Sequence, residues 1–109
     1  MSYDLGLADR LEQMFSGHPA MEKKKMFGGI CWMLNGNMCL GIHKENLIIR
    51  VGLETAKKII GQPSVGPMDI TGKVMKGWAL VTPDGFESDD NLTRYSNYAI
   101  DFVSTLPPK

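Results

Sequence analysis

Four side chains in this 109-residue sequence carry the chemistry of a nucleophilic or metal site: Cys31, Cys39, His18 and His43. A thiol beside an imidazole makes a nucleophile–base pair, and four such groups at suitable spacing make a zinc site. The spacing supports neither. No CxxC occurs and neither histidine stands at a ligand-like interval from the cysteines, so no metal ligand is assigned. Cys39 and His43 share a face of one expected strand, but four residues at about 3.3 Å each hold them roughly 13 Å apart. Cys31 and Cys39 flank Asn35-Gly36, the residue pair that type I′ hairpin turns favour. With a two-residue loop, Cys31 faces Leu40 and Cys39 faces Trp32. The thiols then lie on opposite faces and form no disulfide; a three-residue loop at 34–36 reverses that result. The sequence presents no Ser–His–Asp grouping either. The expectation is a protein without catalytic residues or a cofactor, and not an enzyme.

The charged residues divide in the same way. Lys23-Lys24-Lys25 precede Gly28-Gly29, but the GxxxxGK[ST] pattern of a phosphate loop is missing, so the glycines read as close packing or a bulge. Lys23, Lys24, Lys25, Lys73 and Lys76 make a basic patch for nucleic acid or another anion only if their two loops meet; otherwise they are solvated charge. Asp84, Glu87, Asp89 and Asp90 form an acidic cluster, part of which sits at the start of an expected helix, whose dipole stabilises acids there without a metal. Asp69 and Thr71 read as capping groups of a turn before Gly72. Lys plus Arg and Asp plus Glu are 12 each, a zero net charge that argues against nucleic-acid binding by bulk charge. No apolar run reaches the roughly 20 residues that span a bilayer. The first ten residues hold Asp4 and Asp9 before Arg10, unlike a secretory leader. These features imply a cytoplasmic, soluble chain with no membrane partner, built as one domain over 1–109.

The elements that position these groups follow from periodicity. Asp4 caps a first helix with Leu7, Ala8, Leu11, Met14 and Phe15 on one stripe. Residues 21–25 read as a charged approach loop. A three-strand meander follows over 26–34, 38–43 and 47–51. A short helix spans 54–60, then a short strand 68–70 and a strand 77–82, with Trp78 opening the latter as a core residue. Ser88 or Asp89 caps a last helix whose stripe is Leu92, Tyr95, Ala99, Phe102, Val103 and Leu106. The order α-β-β-β-α-β-β-α with short turns implies α+β, a two-layer sandwich with an antiparallel sheet. In the two-residue register, Cys31, Met33, Met38, Leu40 and Ile42 form the core face, which Leu47, Ile49 and Val51 join if the second turn is also a two-residue loop, Glu45-Asn46. Ile30, Trp32, Cys39, Gly41, His43, Ile48 and Arg50 form a mixed outer face. Ile30, Trp32 and Arg50 would there make an aromatic–Arg cluster suited to a protein partner or a second copy of the chain.

Met26-Phe27-Gly28-Gly29, Asn35-Gly36-Asn37-Met38, Leu47-Ile48-Ile49-Arg50-Val51-Gly52, Met68-Asp69-Ile70-Thr71-Gly72, Met75-Lys76-Gly77-Trp78 and Leu106-Pro107-Pro108-Lys109 follow one another in an order and spacing that resemble the N-terminal domain of the TfoX/Sxy family. These are bacterial proteins linked to competence regulation. The resemblance covers essentially the whole chain and implies a two-layer domain with an antiparallel sheet. It further implies that longer members continue into a C-terminal helical domain, which these 109 residues do not include. The expected function is a non-enzymatic regulatory or protein-interaction module. The alternative is a nucleic-acid-binding transcriptional regulator using the lysine-rich loops.

Overall fold

A computed structural model of the chain describes residues 3–26, 29–69 and 72–109. Gly28 of the glycine pair, Ile70 of the expected strand over 68–70, and Thr71 lie outside the described residues. The elements run α1 (Leu5–Phe15), β1 (Met21–Met26), β2 (Gly29–Leu34), β3 (Asn37–His43), β4 (Asn46–Arg50), α2 (Leu53–Ile59), β5 (Val65–Pro67), β6 (Trp78–Val81), a 3₁₀ turn at Pro83–Gly85 and α3 (Asp89–Val103). The fold is α+β, with one antiparallel sheet in the order β1-β2-β3-β4-β6-β5.

Local chemistry fixes the helix starts. The Asp4 carboxylate accepts from the Leu7 N–H at 2.8 Å, and the Ser88 hydroxyl accepts from the Asn91 N–H at 3.1 Å. Asp89 and Asp90 occupy the first turn of α3, where the helix dipole favours them. Leu7, Leu11 and Phe15 of α1 and Leu92, Tyr95, Ala99 and Val103 of α3 are buried against one face of the sheet. Arg10 ties the two helices together. Its guanidinium donates to the Phe86 carbonyl at 2.8 Å, pairs with Asp89 at 3.2 Å and lies over the Phe86 ring.

Three features differ from the sequence reading. First, residues 21–25, expected as a loop, are a strand: β1 pairs with β2 from Met21↔Leu34 to Met26↔Gly29. A strand at a sheet edge needs no apolar alternation, because much of it faces water. Second, Met68 and Asp69 of the strand expected over 68–70 lie in no strand, and the short strand here is β5 at Val65–Pro67, which pairs with β6. Third, the β2–β3 register slips. The turn itself is as expected, with Asn35 and Gly36 at φ 52° and 83° and Leu34 opposite Asn37. Met33 faces Met38, but Trp32 then faces Leu40 and Ile30 faces Ile42, so one extra residue, Cys39, enters β3.

A one-residue bulge exchanges the faces of the strand beyond it. Ile30, Trp32 and Leu34 therefore join Leu40, Ile42, Leu47 and Ile49 in the core, while Cys31 and Met33 turn to the opposite face by strand alternation. The β3–β4 loop is Lys44-Glu45 and not the expected Glu45-Asn46, so Ile42 pairs with Leu47 and Leu40 with Ile49; the register moves by two residues, and Leu47 and Ile49 keep the face expected for them.

Candidate functional site

The proposed surface cluster of Ile30, Trp32 and Arg50 does not exist in the folded chain. Ile30 is 3% exposed and Trp32 2%, both in the main core, and the Trp32 ring packs at 6.2 Å from Phe15 of α1. Only Arg50 remains on the outer face, opposite Trp78 and donating to the Met38 carbonyl at 3.4 Å.

The five lysines come from different segments of the fold. Lys23, Lys24 and Lys25 lie on β1, with β2 and β3 between them and β4, about 14 Å at roughly 4.8 Å per strand. Lys73 and Lys76 belong to the segment that leads into β6. Lys23 and Lys25 lie on the same side of β1, opposite Trp32 and Ile30, and Lys24 on the other side, opposite Cys31. Lys23 is paired with Glu12 of α1 at 2.6 Å, and that hydrogen bond raises its pKa above the ordinary lysine value.

Both thiols are free and buried. Burial raises the pKa of Cys31 and pushes Cys39 up to about 12, partly offset by the charge of Arg50. At both positions burial disfavours the thiolate, the form in which a cysteine acts as a nucleophile. Among the described residues no group of three or more His, Cys, Asp or Glu could hold a metal ion. Asp84 accepts from the hydroxyls of Thr82 at 2.7 Å and Ser64 at 2.8 Å, and these bonds lower its pKa. They clamp the loop before β5 to the turn after β6, a structural use of the acidic cluster.

Chemistry of another kind gathers where α2 meets the segment before β6. The Val51 and Gly52 N–H groups both donate to the Gly77 carbonyl, at 2.8 and 3.0 Å, which fixes the start of α2 beside that segment. Gly52 has φ 85°, and a Cβ there would lie 2.7 Å from the Phe102 ring, so only glycine lets the chain turn from β4 into α2 at this spot. Further along, the Met75 N–H donates to the Met68 carbonyl at 2.8 Å and closes the loop between them. Met68, Ile48 and Trp78 are buried together on the outer face of the sheet, with Met38, Met75 and Leu80 packed against them.

Between α2 and this loop runs an open groove of about 460 Å³. Leu53, Ala56, Lys57 and Ile60 form one wall; Val74, Met75, Lys76, Gly77 and Trp78 form the other. The first set is spaced i, i+3, i+4, i+7, a single helical stripe. Leu53 is 59% exposed and Val74 60%; with Leu5 they are the exposed large hydrophobic residues among the described ones. Trp78, expected in the core, is buried on one side and lines the groove on the other. The sequence reading missed this site. The signals available were Leu53, an apolar residue just ahead of the expected helix, and Val74-Met75, an apolar pair within a Gly- and Lys-rich loop.

The fold and the groove define a small α+β domain with helices packed on one sheet face and an apolar, lysine-flanked trough. The TfoX N-terminal domain family matches residues 13–103, and the chain belongs to it. Comparison with curated proteins and with solved structures gave no match.

Proposed function

We propose that this domain is a non-enzymatic interaction module with a regulatory role of the TfoX type, acting by contact with another protein. The observation that carries the reading is the groove between α2 and residues 74–78, where Leu53 and Val74 stay largely exposed. Exposed apolar side chains gathered in a concave site, rather than scattered singly, are typical of surfaces that bind. Membership of the TfoX N-terminal domain family supports the regulatory part.

The test is affinity purification from lysate of the native host, with and without nuclease, using the wild type and Leu53→Glu/Val74→Glu. Both positions are about 60% exposed, so the double variant should melt close to the wild type. The reading expects proteins that survive nuclease and are lost from the double variant. Recovery that vanishes with nuclease favours the nucleic-acid alternative, and recovery indifferent to the two substitutions removes the groove from the function.

A further inference from the structure

We infer that the groove receives a short acidic peptide segment of a partner, anchored by apolar side chains. The inference deepens the interaction reading and rests on it. Three observations select this occupant. The walls are mainly apolar, so the occupant must bring apolar side chains to cover Leu53, Ile60, Val74 and Trp78. Lys57 stands on one wall and Lys76 on the other, and among the described residues no acidic one lines the groove. An acidic segment pairs with both, whereas a basic one meets like charge from both sides. Finally, the groove is an open trough, and its volume of about 460 Å³ is toward the low end of the roughly 300–1,000 Å³ typical of ligand sites. Small molecules favour sites that bury most of their surface; an open trough along a helix suits an extended or helical segment laid into it.

The experiment is selection from a random dodecapeptide display library on the purified domain, after depletion on Leu53→Glu/Val74→Glu. Enriched peptides are then synthesised with a fluorescent label and titrated by anisotropy. The expected sequences combine two or more large apolar residues with Asp or Glu. Their affinity should fall about tenfold or more in Lys57→Glu/Lys76→Glu, two exposed charge contacts being reversed at once, and should weaken as salt is raised.

Enriched peptides that are neutral or basic overturn the acidic occupant while leaving the groove as an interaction site. Failure to enrich any groove-dependent peptide overturns the peptide occupant, whatever the lysate experiment gives. Sedimentation supplies a further arm: a wild-type dimer that the Leu53→Glu/Val74→Glu variant converts to monomer would assign the groove to a second copy of the chain and overturn the proposal. Far-UV circular dichroism and melting of each variant separate loss of binding from loss of fold.

Discussion

Trp32→Ala distinguishes the two possible placements of this side chain, at the surface or in the core. In the structure Trp32 is 2% exposed, opposite Leu40 and against the Phe15 ring. An aromatic side chain of this kind buries about 200 Å², and at about 25 cal/mol per Å² that is worth roughly 5 kcal/mol. Direct truncations of buried Phe and Trp to Ala cost about 3–5 kcal/mol, the cavity included. A domain of this size has about 5–15 kcal/mol in total, so the variant should be strongly destabilised and lie near the edge of folding. At roughly 5 °C per kcal/mol, Tm should fall by about 15–25 °C. The assay is urea unfolding followed by far-UV circular dichroism, which does not depend on the tryptophan removed. The midpoint should move with the slope unchanged, and Trp32→Phe should recover most of the loss. Were Trp32 a surface contact, truncation would stay within about 0.5 kcal/mol. A loss below about 1 kcal/mol would refute the bulged register and return Ile30 and Trp32 to the surface.

Three further perturbations probe other parts of the fold. The Ser96 hydroxyl is fully buried in α3 with no hydrogen-bond partner; Ser96→Ala should therefore stabilise by about 1 kcal/mol, and a lower urea midpoint would contradict that. Gly52→Ala forces a Cβ onto the Phe102 ring at positive φ and should cost about 2 kcal/mol or more, while an unchanged midpoint would contradict the geometry at the start of α2. Asp84 has a pKa lowered by the Thr82 and Ser64 hydroxyls, so its contribution is present above the unfolded carboxylate value near 3.9 and disappears as pH falls through the folded value. The stability gap between wild type and Asp84→Ala should thus be full at pH 7 and shrink below about pH 4; a gap constant from pH 7 to pH 2.5 would disprove the clamp.

Much of the fold was legible because its signals are local. Asp4 and Ser88 cap from three residues away, Asn35-Gly36 needs positive φ, and the α3 stripe repeats at helical spacing. The sheet faces were not fully legible, because a bulge is invisible to alternation: Cys39 is apolar on either face, and nothing in the string marks it as the extra residue. β1 escaped for the opposite reason, since an edge strand rich in Lys lacks the alternation that reveals a strand. The groove was out of reach because its walls lie some twenty residues apart in sequence. They meet only through the antiparallel pairing of β4 with β6 and the hydrogen bonds to Gly77.

The placement of charge at the sheet edges bears on how the groove should be read. An edge strand presents unpaired N–H and C=O groups that invite another strand, and proteins blunt it with Lys, Pro or shortness. β1 carries Lys23, Lys24 and Lys25 along one edge, and the other edge, β5, is three residues long and ends in Pro67. Both edges are thus defended against indiscriminate strand pairing, which gives the lysine run a structural role that requires no nucleic acid. The same chain leaves Leu53 and Val74 exposed on the two walls of the groove, although a polar residue at either position would cost the core little. A sequence that protects both sheet edges and yet keeps an apolar trough open between two lysines has the arrangement that the proposed interaction module requires. That contrast, more than the size of the groove, favours selective recognition there over incidental exposure.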